Sequence, residues 1–205
     1  MSDHDLQQPP PIPPDLRCEY EERPFQNCTR CGESLPDFPG GFQISKAYKR
    51  GECVMEYALC DHCRSMMMEE FSVESKKRLA KFQDEQVTLE RGLDSCAVCN
   101  ARRDAPGMDD FVITGVCEGV GLLHSVMICG KCGDGVQGII SQKTKDTWRR
   151  FVDENFPGPP VDSLPEPEEG FHTPVITKSS MPGAFRSALH TAHDSRPRSS
   201  VTSSS

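Results

Sequence analysis

The sequence predicts a small α+β fold built from two copies of one cysteine-rich module, with Pro-rich segments at both ends. Three observations lead to this prediction. Eight of the 11 cysteines fall into four C-x-x-C pairs. The region that contains them occurs twice in the chain, so that Cys60 corresponds to Cys129. Only 36% of the residues are hydrophobic and one is Trp, so the chain has little material for a large apolar core.

The prolines divide the chain into a middle region and two ends. Fourteen of the 17 prolines lie in residues 1–24 and 157–205, whereas ten of the 11 cysteines lie between Cys28 and Cys132. Segments of such composition bury too little apolar surface to offset their ordering entropy. We therefore predict a disordered acidic leader over residues 1–24 and a disordered Pro/Ser-rich tail over residues 157–205.

Within the leader, the prolines of residues 9–14 predict a polyproline II segment. Such a segment can dock on an aromatic groove of a partner, although the composition favours a solvated leader.

No part of the sequence resembles a targeting or membrane segment. No run approaches the roughly 18 apolar residues that a membrane helix needs. The first residues, MSDHDLQQPPP, lack the basic and apolar regions of a secretory signal. We therefore expect a cytoplasmic protein that does not enter a membrane.

The C-x-x-C spacing predicts metal binding. Two residues between thiols allow a tight turn to aim both sulfurs at one ion, and a second pair at domain-scale distance completes a tetrahedron. We predict two Zn²⁺ ions, one in each module. The ligand pairs are Cys28/Cys31 with Cys60/Cys63, and Cys96/Cys99 with Cys129/Cys132. Iron also suits an all-thiolate site and is the less favoured metal, while disulfides or redox dithiols remain further alternatives.

The other three cysteines, Cys18, Cys53 and Cys117, do not recur between the two copies. Ligands of a repeated site should recur, so we interpret Cys53 and Cys117 as small buried hydrophobic residues. The sequence assigns no role to Cys18.

The repeat extends beyond the cysteines. Phe42 begins the sequence FQIS and Phe111 begins the sequence FVIT, and each phenylalanine stands at the same distance before the second cysteine pair of its copy. These matches predict zinc module 1 over residues 25–90 and zinc module 2 over residues 91–156. A serine also recurs at the same distance after each second pair, as Ser72 and Ser141.

Each copy predicts a knuckle, a β-hairpin and a helix, in that order. β-Branched and aromatic residues flank a Gly-bearing turn in each hairpin. The predicted strands are Phe42 to Tyr48, Cys53 to Leu59, Phe111 to Cys117 and Leu122 to Ile128. After each second cysteine pair, apolar residues recur at helical intervals and predict one helix of about 20 residues. These helices should end near Gln86 and near Asn155.

The second helix has an alternative start. The segment Cys132-Gly133-Asp134-Gly135 is a poor helix beginning, because Gly costs about 1 kcal/mol relative to Ala in a helix. Module 2 could therefore be a zinc ribbon whose helix begins only at Val136.

This order of elements resembles the treble-clef class of zinc finger over residues 28–86 and 96–156. Leu59-Cys60-Asp61-His62-Cys63 and Ile128-Cys129-Gly130-Lys131-Cys132 also resemble part of the zinc-binding domain of Clp-type unfoldase ATPases, although no ATPase follows. The second resemblance implies a dimerising module that recognises adaptor proteins.

The motifs favour a binding protein over an enzyme. A four-thiolate zinc site is closed, whereas a catalytic site keeps an open coordination position. The sequence contains no H-E-x-x-H motif, Walker loop or nucleophile elbow. We therefore predict a non-catalytic zinc protein that acts as a protein-interaction or adaptor module.

Nucleic-acid binding is the alternative function. Residues 25–156 carry 17 Lys and Arg against 20 Asp and Glu, a net charge of −3, which is a poor footprint for phosphate contacts. Two basic clusters nevertheless lie on the two predicted helices. They are Lys76, Lys77, Arg78 and Lys81, and Lys143, Lys145, Arg149 and Arg150.

Overall fold

The computed structural model describes residues 9–156. The predicted tail and the first eight residues lie outside the described residues. The fold is α+β, with a four-stranded antiparallel sheet of order β2-β1-β3-β4. Its strands are β1 (Phe42–Lys49), β2 (Glu52–Cys60), β3 (Phe111–Glu118) and β4 (Gly121–Cys129). The two predicted hairpins are confirmed. Most strand ends lie one residue beyond their predicted positions.

The two hairpins join into one sheet around a pseudo-twofold axis. β1 pairs antiparallel with β3, and Ser45 stands opposite Thr114, its equivalent in the repeat. The Ser45 Oγ and Thr114 Oγ1 atoms are 3.4 Å apart in the buried centre of the sheet. The free edge of β1 in one hairpin is thus paired with the free edge of β3 in the other.

Each copy has two helices where the sequence predicted one. They are α1 (Asp61–Glu70), α2 (Val73–Gln86), α3 (Gly130–Ile139) and α4 (Gln142–Asn155). The prediction of a single long helix is wrong because Phe71 and Ile140 adopt extended backbone, with ψ of 146° and 149°. The next residues, Ser72 and Ser141, cap the second helices through their side-chain oxygens. Helix α3 begins at Gly130, so the alternative start at Val136 is also wrong.

The two capping serines meet at the pseudo-twofold axis. Their Oγ atoms are 2.8 Å apart. The backbone amide of Ser72 donates to Thr144 Oγ1 at 3.2 Å, and that of Ser141 donates to Ser75 Oγ at 2.9 Å. Each copy therefore satisfies a helix-terminal N–H group of the other, which ties the two helix breaks together.

One hydrophobic core includes both copies. The Tyr57 ring of β2 packs against Trp148 and Phe151 of α4, with ring centroids 5.7 and 5.5 Å apart. Helix α4 also contacts α1, through an ion pair between Arg150 and Glu70, while α2 contacts α3. The second helix of copy 2 thus covers the outer strand of copy 1.

The prediction of a disordered leader is wrong for residues 9–24. This segment crosses the sheet face opposite the helices and includes a 3₁₀ turn at Pro14–Leu16. Ile12 and Leu16 are buried there, and Pro11 forms a β-bridge with Gly121. Leu16 occupies the space above Gly115, where a Cβ atom would lie 2.4 Å from Leu16 Cδ1. Two apolar side chains and one glycine thus give a polar, Pro-rich segment enough burial to become ordered.

The far end of the leader is held by a buried lysine. Lys46 Nζ donates to the carbonyl of Arg17 at 2.8 Å and to Glu19 Oε2 at 2.5 Å, and it lies 3.5 Å from Glu56 Oε2. Burial acts to lower the pKa of Lys46, but its contacts with Glu19 and Tyr48 raise it to about 12. The lysine is therefore a cation that links the leader to the strand pair β1–β2.

Within residues 9–156, no helix combines the length and apolar character that crossing a bilayer requires.

Candidate metal centres

Each set of four predicted ligands comes together, and each set comes from one copy. The first pair of each set lies in a tight turn before the hairpin. The third cysteine ends the outer strand, and the fourth lies in the first turn of α1 or α3. The residues that follow the first pairs, Gly32 and Asn100, have φ of 75° and 62°. Gly and Asn adopt this left-handed conformation most readily, so the chain can turn away from the sulfurs.

The sulfur positions fit a tetrahedral ion. In each cluster, all four Sγ atoms lie within 4.8 Å of one another. The Cys31 and Cys60 sulfurs are 3.8 Å apart, and the Cys99 and Cys129 sulfurs are 3.7 Å apart. A tetrahedron with metal–sulfur bonds of ~2.3 Å has sulfur–sulfur edges of about 3.8 Å. The sulfurs of each cluster are thus close enough together to share one metal ion, whereas a disulfide would need an S–S distance of about 2.05 Å.

Backbone amides point at the first sulfur of each cluster. Burial acts to raise the pKa of Cys96, but the amides of Cys129, Cys99 and Val98 outweigh it and lower the pKa to about 7. The pKa of Cys28 is lowered in the same way. The turn and the end of the outer strand thus supply N–H groups to stabilise a thiolate, the form that binds metal.

The third and fourth cysteines of each cluster have pKa values that are raised. Burial raises the pKa of Cys60 to about 11, and it also raises the pKa values of Cys63, Cys129 and Cys132. Buried thiolates close to one another repel, so a cation is needed to hold several of them in one cluster.

The two centres differ in the helix that holds them. Cys60 caps α1 by accepting from the Cys63 amide, and Arg30 of the first turn donates to the carbonyl of Cys63 at 3.5 Å. In copy 2, Val98 replaces Arg30, and α3 contains four glycines with no side-chain cap at Cys129. Cys132 is also more exposed than its equivalent Cys63.

A third group of candidate ligands, which sequence analysis did not identify, consists of Glu19, Cys53 and Glu56. Both carboxylates already face the Lys46 ammonium, which lies 2.5 Å from one and 3.5 Å from the other. The lysine supplies the positive charge that a metal would bring, so this group functions as an ion-pair cluster.

The remaining singled-out cysteines have separate positions. Cys117 is fully buried in β3, in agreement with the prediction, and burial raises its pKa to about 12. Cys53 is half-buried and packs at the edge of the core. Cys18, to which the sequence assigned no role, donates to Glu56 Oε1 at 3.2 Å.

The basic clusters lie on α2 and α4, and acidic neighbours accompany them. Arg78 pairs with Glu74, Lys81 lies 3.9 Å from Glu85, and Arg149 lies 3.6 Å from Asp146. Arg150 pairs with Glu70 of α1. Lys76 donates to the carbonyl of Glu69 at 3.0 Å. Lys77, Lys143 and Lys145 are the other members of these clusters.

Comparison with known proteins returns no match: no protein-family model fits the chain, and no curated protein or solved structure is significantly similar to it. The resemblances to treble-clef fingers and to the Clp-type zinc domain thus rest on the arrangement of the chain itself.

Proposed function

We propose that this protein is a zinc-stabilised, non-catalytic module for protein interaction, and that it acts in the cytoplasm. The observation that carries the proposal is the closed character of both metal centres. Each brings together four cysteine sulfurs within 4.8 Å of one another, and an ion bound by all four has no coordination position left for a substrate. Metal in such a site stabilises a surface and does not act on a ligand.

Zinc is the metal that this donor set favours. Four thiolates in a tetrahedron suit zinc, and iron is the competing ion. The order of tight turn, hairpin and helix in each copy supports a treble-clef-like arrangement, with the fourth ligand in the first turn of the helix. The shared sheet joins the two copies into one scaffold.

The charges of the scaffold support a protein partner over nucleic acid. Four of the eight basic residues on α2 and α4 have acidic partners within 4 Å. Such pairs leave fewer cations to neutralise phosphates, and phosphate neutralisation supplies most of the sequence-independent affinity for DNA and RNA.

One experiment tests the metal and the partner class together. The full chain, purified from cells grown with zinc and iron, is analysed for bound metal, and we expect two zinc ions per chain. The same protein is then used for capture from a lysate with and without nuclease. Protein capture that survives nuclease supports the proposal, whereas capture that nuclease and salt abolish would instead favour nucleic-acid binding.

A further inference from the structure

The leader that the sequence predicted as disordered presents an ordered proline ridge on the surface. Residues 9–14 read Pro-Pro-Pro-Ile-Pro-Pro. Pro9, Pro10, Ile12 and Pro13 each precede a proline, which restricts their backbone to extended or polyproline II conformations. Pro13 has φ of −67° and ψ of 159°, close to the polyproline II values of about −75° and +145°. The backbone of residues 9–13 is therefore that of a short polyproline II segment, which ends where Pro14 begins the 3₁₀ turn.

A polyproline II helix has three residues per turn, so its side chains form three rows along the helix, and the three rows have different surroundings here. One row carries Pro9 and Ile12 and faces the sheet. Ile12 is buried, and a Cβ atom on Gly121 would lie 2.4 Å from Pro9 Cγ. The other two rows carry Pro10 with Pro13 and Pro11 with Pro14. Of these four prolines, Pro13 is half-buried and the others are exposed.

The backbone of the ridge is fixed to the edge of β4. The Leu122 amide donates to the carbonyl of Pro10 at 2.7 Å, and the Ile12 amide donates to the carbonyl of Val120 at 3.4 Å. Val120 itself is 77% exposed beside the prolines. Its equivalent in copy 1 is Gly51, so the apolar side chain at this hairpin tip occurs only in the copy that carries the ridge.

We propose that the ridge formed by Pro10-Pro11 and Pro13-Pro14 is a docking surface for a partner domain whose groove is lined with aromatic side chains. Such grooves bind two proline-containing dipeptides one turn apart, while the third row of side chains of the ligand points away from the groove. Here the third row packs against the protein's own sheet, with Ile12 buried and Pro9 beside Gly121, so docking leaves both contacts intact. Residues 9–24 carry four acidic and two basic residues. Asp15, Glu19 and Glu21 already pair with Arg103, Lys46 and Arg23, so the segment presents little uncompensated charge to the rim of the partner groove.

This surface differs from a free Pro-rich peptide because it is already ordered. A flexible ligand loses backbone and side-chain freedom when it binds, and a preorganised ligand loses less. The proposal rests on the protein-interaction function above and assigns the surface that carries it.

The test uses the full zinc-loaded chain and three purified probes that read polyproline helices by different folds: an SH3 domain, a WW domain and a profilin. We expect saturable binding of at least one probe, and the affinity should fall about tenfold or more in Pro11→Ala and in Pro14→Ala. Pro39→Ala changes an exposed proline in the loop before β1 and should bind as the unaltered chain does. No binding by any probe, or equal losses in all three variants, would overturn the proposal.

A fourth variant tests the contribution of order. Gly121→Ala keeps every proline but places a Cβ atom where Pro9 lies, so the ridge should detach and the affinity should fall about three- to tenfold. Unchanged affinity in Gly121→Ala would show that the fixed backbone does not contribute.

Lysate capture with the Pro11→Ala/Pro14→Ala double variant separates the two proposals. Partners that remain bound to it count against the ridge and leave the protein-interaction function standing. Absence of any captured protein with the unaltered chain counts against the function itself.

Discussion

The two copies bring four cysteine sulfurs together from equivalent positions, yet they surround them with different structure. The second and third cysteine sulfurs are 3.8 Å apart in copy 1 and 3.7 Å apart in copy 2. Helix α1 is capped by Cys60 and contains no glycine, whereas α3 contains four glycines and lacks a side-chain cap. The copies thus keep the metal ligands and the capping serines Ser72 and Ser141 in common but differ in the helices beside the ligands.

A second difference appears on the sheet face that the leader covers. Lys46 and Gly115 occupy equivalent positions in the repeat. Lys46 binds the leader at Arg17 and Glu19, while Gly115 makes room for Leu16. A single leader cannot meet two identical surfaces in the same way, so the two copies diverge where it lies.

The largest effect should come from removing one metal ligand in either copy. Structural zinc contributes an apparent ~10–16 kcal/mol, which is comparable with the ~5–15 kcal/mol stability of a typical domain. Because the sheet and core are shared, we expect Cys60→Ser and Cys129→Ser each to unfold residues 9–156 as a whole. Far-UV circular dichroism and amide NMR spectra measure this.

The control for the ligand variants is Cys53→Ala, which changes a half-buried cysteine outside both metal centres. It should retain the folded spectrum. Native amide signals that persist in the unaltered copy of Cys60→Ser would mean that the copies fold independently.

The contribution of the leader can be measured by removing its buried anchor. Leu16 is fully buried, so Leu16→Ala should lower the free energy of unfolding by about 2–5 kcal/mol. Tyr20→Ala, in the same segment but 95% exposed, should change it by less than about 0.5 kcal/mol. Urea denaturation of the zinc-loaded chains gives both values, and equal effects would contradict a packed leader.

The weaker helix of copy 2 should be improvable. Gly135 lies in α3, and a Cβ atom there meets nothing within 4 Å. Gly135→Ala should therefore stabilise the chain by about 0.5–1 kcal/mol, and thermal melting measures the gain. Gly115→Ala is the matched control, because its Cβ would collide with Leu16 and should destabilise the chain by about 1–3 kcal/mol. A gain in both variants would be inconsistent with the leader position.

The smallest effect concerns His124, whose equivalent in copy 1 is Met55. Burial, together with the positive charge of Arg64, lowers the pKa of His124 below 6.5. The unfolded chain then binds the proton more readily, so stability is present above pH 6.5 and declines as the pH falls through it. We expect His124→Met to lose less thermal stability than the unaltered chain between pH 7 and pH 6. An identical pH dependence would show that His124 does not contribute.

The sequence was sufficient for the parts of the molecule that depend on local spacing. The C-x-x-C pairs indicated both metal centres, and the Gly-bearing turns indicated both hairpins. The helix breaks were not predicted because Phe71 continues the apolar period of the helix. Only the recurrence of Ser72 and Ser141, at the same distance after each site, carried a signal for a second N-cap.

Features that depend on distant contacts could not be predicted in this way. The pairing of β1 with β3 joins strands from different copies of the repeat, and no local pattern specifies which edges meet. The ordered leader depends on Leu16 finding a glycine at position 115. Its composition alone is that of a disordered segment, since Ile12 and Leu16 hardly change its mean hydropathy.

The strand pairing and helix packing between the two copies determine how this fold responds to dilution. Each half lacks a partner for its inner strand, and the outer strand of copy 1 is covered by a helix of copy 2. Two separate halves would meet these needs only by associating, so their stability would fall as they were diluted. The connection through Val87 to Gly92 makes that association intramolecular, with an effective concentration fixed by a short linker. The scaffold therefore keeps a dimer-like architecture at any abundance of the protein.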